Sequence, residues 1–538
     1  MEDFRNNFRL NVPGRFNFAY DVMDAWAAEA PEKLALLWTN DQGECRRFSF
    51  KDMKDLSDKA ASYYQSLGIG KGDMVMLVLG RRYEFWITML ALLKIGAVAI
   101  PATHLLTDLD IVYRIEKAGI KAIVCAGDQY ILGNVSRAVR KCGPKCSVKA
   151  LVCVGQEVPE GFHDFHKEWD EAPAFVRPQE DWSNDDIMLL YFTSGTSGEP
   201  KMVAHDMTYA LGHLATGAFW HNLGPNSLHL TIADTGWGKA AWGKLYGQWL
   251  AGAALFVYDH TRFNAEDILE LIGKYRITSL CAPPTILRFL IQEDLGKYDL
   301  SSLEYLCTAG EALNSVVYDT MLEKTGLKIH EGYGQTESTL LLGTFPWMEP
   351  KPGSMGVPSP QYDIALLRPD GTPVQGREIG EICVNVSQGK PCGLFKGYLG
   401  DPDRTAKVWH DGWYHTSDMA WRDEDGYYWF IGRNDDIIKT SGYRVSPFEV
   451  ESVLMMHPAV VECAVTGVPD PLRGFVVKAT VILLNKYRTQ AGPELVKDIQ
   501  TFVKRTTAPY KYPRIVEFVD ELPKTISGKI RRVELRQS

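Results

Sequence analysis

The segment YFTSGTSGEPK, residues 191–201, carries the residue types that bind phosphate groups. It follows the apolar run DIMLL, so a buried strand opens here into a small polar loop that ends in a positive charge. Glycines let the backbone approach a ligand closely, and backbone N–H groups together with hydroxyls can surround an anion. The candidate anion-binding residues are Thr193, Ser194, Gly195, Thr196, Ser197, Gly198, Glu199, Pro200 and Lys201. Such a loop is also typical of a mobile connection, so the loop alone leaves both interpretations open.

The elements around this loop indicate an α/β protein. From about residue 48 to 320, short β-rich runs alternate with helical patterns, as where ALFVYD precedes NAEDILELIGKYR. This alternation predicts mostly parallel sheets covered by helices, in which ligands bind where strands end in loops. The apolar stretch from Phe85 is interrupted by Lys94 and Gly96, so it predicts a buried helix followed by a strand and not a membrane span.

The rest of the chain predicts two smaller regions. Short strands separated by Gly and Pro turns predict a β-rich lobe over about 341–433. Helix and strand patterns then return and predict a compact α+β domain of about 100 residues. We therefore expect a large N-terminal domain over 1–434, built from two helix-covered, mostly parallel sheets plus the lobe, and a C-terminal α+β domain over 435–538.

Composition and charge argue against several classes of protein. The chain has 538 residues, of which 45% are apolar and 23% charged, as in globular proteins with several lobes. Its formal charge of -9 argues against nucleic-acid binding, which requires a basic face. The N-terminal MEDFRNNFRL has no apolar signal core, and ten irregularly spaced cysteines indicate a reducing compartment, so we expect a cytoplasmic protein without integral membrane association. Cys142, Cys146 and Cys153 have no nearby fourth ligand, so no structural zinc site is predicted.

Six motifs occur together in an order that is found in one superfamily. They are YFTSGTSGEPK (191–201), TAGEAL (308–313), EGYGQTE (331–337), WYHTSD (413–418), GRNDDIIKTSGYRVSPFEVE (432–451) and PKTISGKIRR (523–532). Through them, nearly the whole chain resembles the adenylate-forming superfamily of acyl-CoA synthetases, adenylation domains and luciferases. Within it, DTGWGKAAWGK and APYKYPR look most like medium-chain acyl-CoA synthetases.

The resemblance implies an AMP-forming acyl-CoA ligase that works in two steps. A carboxylic acid and ATP give an acyl adenylate and pyrophosphate, and the thiol of coenzyme A then gives acyl-CoA and AMP. The first step depends mainly on neutralising and aligning phosphate groups. ATP, Mg²⁺ and coenzyme A are the implied cofactors and cosubstrates, and a small carboxylic acid is the implied partner.

The resemblance also implies a nucleotide site. The loop at 191–201 would hold the β- and γ-phosphates, Thr336 would contact the α-phosphate, and Glu337 would bind Mg²⁺. Asp418 would accept hydrogen bonds from both ribose hydroxyls, and Arg433 would meet the ribose or the phosphates. The remaining ATP-site residues are Gly310, Glu311, Ala312, Glu331, Gly332, Tyr333, Gly334 and Gln335, with Tyr333 stacking on adenine. Without the resemblance, Glu337 is simply a helix-start acid and Asp418 a turn residue.

Catalysis is implied to involve a moving C-terminal domain. Lys529, in the loop TISGKI, would bring its ammonium group to the α-phosphoryl group, although a lone lysine in GKIRR is usually a solvated charge. Coenzyme A must later reach the same carbonyl, and the family solves this by rotating the C-terminal domain about a hinge that matches Asp435. The polar RNDD sequence is equally typical of an ordinary linker.

The coenzyme A site is implied to form after this rotation. Ser441, Gly442 and Tyr443 would line the pantetheine tunnel, where glycine permits close approach of the thiol arm. The candidates around the tunnel are Lys439, Arg444, Arg473 and Lys504. Of these, Arg444 could hold a carboxylate or acyl-phosphate oxygen, and the last two could bind nucleotide phosphates.

The acid site is assigned to residues Trp220, Trp237, Lys239, Trp242, Cys281 and Gly334. Gly334 stands where acetate-specific relatives carry a tryptophan, so we expect an open pocket floor and an acid larger than acetate. The aromatic residues could equally be ordinary core. A medium-length or branched aliphatic acid is the leading substrate, and a benzoate-like acid is the alternative. Neighbouring chain lengths should be accepted together, because one methylene group discriminates by only about 1 to 3 kcal/mol.

Two other functions stay open at this point. An enzyme that loads a carrier-protein thiol would share the motifs, although no carrier domain is appended and Arg473 argues for coenzyme A. An inactive protein that binds nucleotide or acyl-CoA is the second alternative, and the presence of Glu337 and Lys529 argues against it. The oligomeric state, monomer or dimer, is open.

We predict that Lys529→Ala lowers the rate of acyl-adenylate formation by about 10² to 10³, because a charge-stabilising donor is lost. Thioester formation from supplied acyl adenylate should be spared. Gly442→Leu is the matched variant and should slow mainly the thiol step, because a side chain obstructs the tunnel. The two half-reactions are measured separately, and equal loss of both in Lys529→Ala would contradict the role of this lysine.

Overall fold

The computed structural model describes residues 2–179, 182–193, 199–311, 313–433, 436–440, 443–471, 473–524 and 530–537, with only the backbone at Glu2, Arg5, Arg444 and Gln537. The strands are β1 (Leu34–Asn40), β2 (Cys45–Ser49), β3 (Met74–Val78), β4 (Val98–Pro101), β5 (Ala122–Ala126), β6 (Ala150–Val154), β7 (His163–Asp164), β8 (Ile187–Thr193), β9 (Lys201–Asp206), β10 (Leu228–Thr231), β11 (Ala254–Asp259), β12 (Ser279–Cys281), β13 (Tyr305–Ala309), β14 (Ile329–Tyr333), β15 (Leu342–Gly343), β16 (Ser354–Pro358), β17 (Ile364–Leu367), β18 (Gly380–Asn385), β19 (Gly397–Tyr398), β20 (Trp409–His410), β21 (Trp413–Arg422), β22 (Tyr428–Arg433), β23 (Ile438–Thr440), β24 (Tyr443–Val445), β25 (Val460–Asp470), β26 (Gly474–Leu483) and β27 (Ile515–Phe518).

The α-helices are α1 (Glu2–Asn7), α2 (Ala25–Glu29), α3 (Phe50–Ser66), α4 (Glu84–Ile95), α5 (Asp108–Ala118), α6 (Gln129–Cys142), α7 (Phe165–Glu171), α8 (Tyr209–Gly212), α9 (Gly238–Gly243), α10 (Tyr246–Leu250), α11 (Ala265–Tyr275), α12 (Pro284–Leu290), α13 (Ser315–Thr325), α14 (Pro402–Ala406), α15 (Pro447–Leu454), α16 (Pro493–Thr506) and α17 (Arg532–Gln537). Ala19–Asp24 and Ala215–Trp220 are π-helices. Short 3-10 helices span Gly143–Lys145, Leu295–Lys297, Asn485–Gln490 and Pro509–Lys511.

The chain forms two compact units. The first contains the described residues of 1–193, 200–363 and 386–407, and the second contains those of 194–199, 364–385 and 408–538. The lobe predicted over 341–433 is therefore divided between the units. The reason is strand pairing, because β15 and β16 extend the first unit's sheet beyond β14, and β19 pairs with β9. The predicted boundary at 434 and 435 falls outside the described residues and stays a prediction.

Two mostly parallel sheets form the first unit, which confirms the predicted fold class. One sheet has the strand order β2-β1-β11-β10-β12-β13-β14-β15-β16, and its strands from β1 to β14 are parallel. The other has the order β19-β9-β8-β4-β3-β5-β6-β7, parallel from β8 to β7. Strands buried on both faces by helices need continuous apolar runs, and MVMLV and ALFVYD are such runs.

The second sheet positions the phosphate-type loop. Strands β8 and β9 pair antiparallel, and Thr193 lies opposite Lys201 where the two strands meet the loop. The two ends of the loop are thus fixed by the ladder, while residues 194–198 lie outside the described part of the chain. The buried strand expected before this segment is present as β8, which ends at Thr193.

Helix α4 confirms the buried helix expected from the apolar stretch. Every residue of α4 is buried, and the chain continues into β4. Lys94 is buried in this helix, where its Nζ lies 3.0 Å from an oxygen of Asp24 and 2.5 Å from one of Asp58. The two carboxylates compensate the buried charge, which would otherwise be costly. Within the described ranges, no helix combines the length and apolar character that crossing a membrane requires.

The second unit contains two antiparallel arrangements. Strands β17, β18, β21 and β22 pair in that order, with β20 on β21. The C-terminal part has the strand order β24-β23-β26-β25, and β27 pairs with β26 in parallel. Its core joins apolar residues of α15, β25, β26 and α16. The predicted C-terminal α+β domain is confirmed in its fold.

Candidate active site

The end of strand β14 is held by two tryptophan rings that lie against glycines. A Cβ on Gly332 would come within 2.5 Å of the Trp220 ring, and one on Gly334 within 2.3 Å of the Trp242 ring. Glycine is therefore required at both positions by space. This finding changes the expectation for Gly334, because the Trp242 ring fills the room that the glycine leaves. The floor beside Gly334 is an indole and not open space.

Glu331, which the resemblance assigns to the adenine pocket, has a side chain that bonds inward to the backbone. Its side chain is buried, and its two oxygens accept hydrogen bonds from the backbone N–H of Leu313 (3.0 Å) and of Gly353 (2.6 Å). Burial raises the pKa of Glu331 to about 8, and the two hydrogen bonds act against that rise. The carboxyl group thus joins β14 to Leu313, the last residue of the TAGEAL motif, and to Gly353.

The turn after β13 is shaped by glycine and held by a lysine. Gly310 has φ +101°, which side chains disfavour, while the space around its Cα is open, so backbone conformation alone explains this glycine. Lys239 of α9 donates a hydrogen bond from Nζ to the carbonyl oxygen of Ala309 at 2.7 Å, and burial lowers the pKa of Lys239. Glu311, the residue after Gly310, is exposed and accepts a hydrogen bond from the hydroxyl of Thr285 at 2.8 Å.

Thr336 and Glu337 follow β14 and are held by side chains from strands β9 and β19. His205 donates from Nε2 to the carbonyl oxygen of Thr336 at 2.8 Å, and burial lowers the pKa of this histidine to about 3, so it is neutral. The hydroxyl of Tyr398 donates to Glu337 Oε1 at 2.9 Å, and the Nζ of Lys201 lies 4.9 Å from the centre of the same tyrosine ring. One tyrosine therefore contacts both the lysine of the loop and the candidate metal ligand.

Glu337 fits a Mg²⁺ site of the kind that nucleotide enzymes use. Mg²⁺ keeps several waters and is usually held by one or two carboxylates plus substrate phosphates. A half-buried carboxylate oriented by one hydroxyl satisfies this requirement. A second group of metal-type ligands, Glu381, Cys383 and His415, has donor atoms within 4.8 Å of one another, but these side chains bond to each other and to the backbone.

In the second unit, Asp418 and Arg433 face each other across strands β21 and β22. The preceding residue, Ser417, has φ +62°, a left-handed conformation that is strained for a residue with a side chain. The side chain of Glu381 holds Ser417 in this conformation, because one of its oxygens accepts a hydrogen bond from the Ser417 N–H at 2.8 Å. The other oxygen lies 3.0 Å from Nδ1 of His415. The strained backbone and its carboxylate support fix the direction of the buried Asp418.

Residues assigned to the acid site contact one another in part. The rings of Trp220 and Trp242 meet edge to face at 6.3 Å, and Cys281 is buried on the strand next to Cys307. For Trp237, the backbone N–H donates to the carbonyl oxygen of Asp234 at 3.3 Å.

In the second unit, Tyr443 stacks on Tyr510 at 4.2 Å, and the Nζ of Lys504 lies 3.9 Å from the ring centre of Tyr512. Lys439 and Arg444 are register partners in the hairpin of β23 and β24. Arg473 donates its backbone N–H to Asp470 at 2.9 Å.

Several predicted residues lie outside the described part of the chain, and their assignments stay predictions. They are Ser194, Gly195, Thr196, Ser197, Gly198, Ala312, Asp435, Ser441, Gly442 and Lys529, together with the side chain of Arg444.

Four residues with evident roles in positioning were missed by the sequence analysis. They are His205, Glu381, Tyr398 and Tyr510. Tyr510 lies in the segment APYKYPR, whose resemblance to medium-chain acyl-CoA synthetases is a signal that could have identified it. The other three act through strands that pair only in the folded protein.

Comparison with known proteins decides the family. A model of the AMP-binding enzyme family matches residues 23–399. The chain belongs to the AMP-binding enzyme family. A second model, of the AMP-binding enzyme C-terminal domain, matches residues 449–529. The superfamily expected from the six motifs is therefore confirmed.

Relatives of this AMP-binding enzyme match it over its full length. Acyl-coenzyme A synthetase ACSM3, mitochondrial, of Pongo abelii is 41% identical over 547 residues, covering 100% of this chain and 92% of that protein. Acyl-coenzyme A synthetase ACSM5, mitochondrial, of Homo sapiens is 41% identical over 535 residues, covering 98% of this chain and 91% of that protein.

Two solved structures of coenzyme A ligases have the same architecture. The anthranilate CoA ligase AuaEII in complex with anthranoyl-AMP has a TM-score of 0.88 and 28% identity, and the match covers 98% of each chain. A benzoate CoA ligase from Burkholderia xenovorans LB400 has a TM-score of 0.82 and 25% identity, covering 97% of this chain and 100% of that chain.

We expect Tyr398→Phe to raise the Mg²⁺ concentration for half-maximal activity by about tenfold, because a hydrogen bond to a charged group contributes about 1.5 kcal/mol. The ring under Lys201 is retained in this variant. Tyr398→Leu removes the ring as well and should in addition raise the KM for ATP. Both quantities are read from initial rates of pyrophosphate release, and an unchanged Mg²⁺ dependence in Tyr398→Phe would show that the tyrosine does not orient Glu337.

We expect Glu331→Gln to lower the free energy of unfolding by about 1 to 3 kcal/mol, because the new amide N–H₂ faces a backbone N–H. Since the pKa of Glu331 is raised to about 8, the folded state binds the proton more tightly than the unfolded state. The wild-type protein should therefore lose stability relative to the variant as pH rises from about 5 to about 8. Denaturant unfolding at several pH values measures the difference in free energy of unfolding between the wild-type protein and the variant. If the wild-type protein instead gained stability relative to the variant over the same pH range, the pKa of Glu331 would be lowered.

Proposed function

We propose that this AMP-binding enzyme is an AMP-forming acyl-CoA ligase that converts a carboxylic acid, ATP and coenzyme A into acyl-CoA, AMP and pyrophosphate. The observation that carries the proposal is the contact of Lys201 and Glu337 with one tyrosine, Tyr398. A cation from the phosphate-type loop and a carboxylate suited to Mg²⁺ are thereby held close together, as a triphosphate requires. The names of the relatives support the same chemistry.

In the first step, an oxygen of the acid's carboxylate bonds to the α-phosphorus, and the bond from that phosphorus to the pyrophosphate oxygen breaks. Lys201 stabilises the charge that the departing pyrophosphate carries. Mg²⁺ held by Glu337 would neutralise phosphate oxygens. The hydroxyl of Thr336 would contact the α-phosphate, because the His205 bond to its carbonyl fixes this segment. Lys529 would supply the charge at the α-phosphoryl group.

In the second step, the sulfur of coenzyme A attacks the acyl carbonyl, AMP leaves, and the thiol proton is released to solvent. The stacked rings of Tyr443 and Tyr510 and the cation of Lys504 offer a surface for the nucleotide end of coenzyme A. Rotation of the C-terminal domain about Asp435 would bring the segment 439–444 into use after adenylation. Asp418 and Arg433 would bind the ribose.

Two classes of carboxylic acid fit the proposed reaction. A medium-length or branched aliphatic acid is the leading substrate, in line with relatives named acyl-coenzyme A synthetases. The similarity to the anthranilate and benzoate CoA ligases supports an aryl acid as the alternative. The Trp220 and Trp242 pair can pack against either an aliphatic chain or an aromatic ring. For the compartment, we keep the cytoplasm as the proposal, although the relatives are named mitochondrial.

The proposal predicts acid-dependent release of pyrophosphate and AMP from ATP. The purified protein is assayed with short, medium, branched and aromatic acids, with and without coenzyme A, and nucleotides are separated to distinguish AMP from ADP. Pyrophosphate should require the acid, and acyl-CoA should appear in amounts equal to AMP. Release of ADP, or turnover with a carrier protein but not with coenzyme A, would overturn the assignment.

A further inference from the structure

Four buried side chains of the first unit form a polar cluster behind the adenylation site. The cluster consists of His205, Tyr209, His213 and Tyr246, each almost fully excluded from solvent. Tyr209 stacks on His205 at 3.8 Å and meets the ring of His213 at 4.8 Å. Tyr246 lies 5.9 Å from Tyr209 and 5.8 Å from His213. The ring of Tyr209 therefore lies next to each of the other three rings.

Several polar atoms of this cluster have no hydrogen-bond partner among the described residues. Among the described residues, no hydrogen-bond partner exists for Nδ1 of His205, the hydroxyls of Tyr209 and Tyr246, or either ring nitrogen of His213. Buried polar atoms in folded proteins are nearly always hydrogen-bonded, so five such atoms in one cluster indicate an occupant. The occupant is either ordered water or a polar group of a ligand.

The chemistry of the cluster restricts what it can bind. Burial lowers the pKa of His213 well below its usual value and raises the pKa of both tyrosines well above theirs, so all these groups are neutral. Neutral donors and acceptors in a desolvated place bind a neutral hydrogen-bonding group and disfavour a carboxylate or an ammonium. A tyrosine hydroxyl and a neutral imidazole can each both donate and accept, which suits a hydroxyl or an uncharged aromatic amino group.

The cluster also contacts the two elements that border the acid site. The Nε2 of His205 bonds to the carbonyl oxygen of Thr336, the residue assigned to the α-phosphate. The ring of His213 meets the ring of Trp242 at 6.4 Å, and Trp242 is the indole that covers Gly334. Nearby, the chain adopts a π-helix over Ala215–Trp220, an arrangement that is frequent at functional sites. An acid held at Thr336 would thus extend toward this cluster.

We propose that the polar cluster forms the inner end of the acid pocket and binds a neutral hydroxyl or aromatic amino group on the acid, remote from its carboxylate. This inference rests on the proposed ligase function and narrows the substrate to acids that carry such a group. His213 and Tyr246 are then specificity-determining residues. A site built to hydrogen-bond a substrate group rejects an analogue that lacks it far more strongly than an apolar pocket rejects a missing methylene.

The test compares acids that share a carbon skeleton. Benzoate is measured beside 2-, 3- and 4-hydroxybenzoate and their amino counterparts, and hexanoate and octanoate beside 6-hydroxyhexanoate and 8-hydroxyoctanoate. The wild-type enzyme should show a kcat/KM at least about tenfold higher for the substituted acid in one or more pairs. Pyrophosphate release with any acid upholds the ligase function, so the ratio within each pair tests the inference separately.

Two variants test whether the cluster residues bind the hydroxyl or amino group of the acid. Tyr246→Phe removes only a hydroxyl, and His213→Phe replaces the imidazole by an apolar ring; each should reduce the preference for the substituted acid by about tenfold. Tyr63→Phe, a buried tyrosine packed on Phe165 at 5.8 Å, is the matched control and should keep the preference. No preference in the wild-type enzyme, or a preference that survives both variants, would overturn the proposal and leave ordered water as the occupant.

Discussion

The packing of two indole rings on the backbone of strand β14 is the constraint on which the rest of the site depends. Each ring lies against one glycine and also donates a hydrogen bond to the same segment, from Trp220 to Glu331 at 3.1 Å and from Trp242 to Ser338 at 3.2 Å. The segment between these two points carries Thr336 and Glu337. Close packing in a protein interior leaves little freedom to such a segment, so its groups are positioned before a ligand binds.

A second fixed point comes from strands that are distant in sequence. Strand β19 pairs with β9 and thereby places Tyr398 between the loop that ends at Lys201 and the carboxylate of Glu337. The hydroxyl is bound to the carboxylate and the ring is close to the cation, so one side chain orients two charges. If the phosphates bind here as proposed, such placement would cost no reorganisation, and electrostatic catalysis gains its strength in this way.

The layered fold could be predicted from the sequence, but the hydrogen bonds that position the site residues could not. Continuous apolar runs such as those of β3 and β11 identify buried parallel strands, and the interrupted apolar stretch identified α4, because these patterns are local. The roles of Glu331 and Tyr398 are not local. A glutamate in EGYG resembles a ligand-binding residue in sequence, and only the fold shows its oxygens on the N–H groups of Leu313 and Gly353. Likewise, two-residue strands such as β19 carry no periodicity from which pairing could be predicted.

The division between charged and neutral groups gives the acid a direction in the site. The charged side chains of Lys201 and Glu337 both lie at Tyr398, where the triphosphate is expected. In contrast, burial keeps His205, His213 and their tyrosine neighbours neutral. Moving an unpaired carboxylate into such neutral surroundings costs several kcal/mol, so on the proposed function the acid would enter with its carboxylate toward the phosphates. In the proposed reaction, the reacting oxygen would therefore meet the α-phosphorus, because the opposite orientation is electrostatically unfavourable. Specificity can then vary at the neutral end while the chemistry at the charged end stays the same.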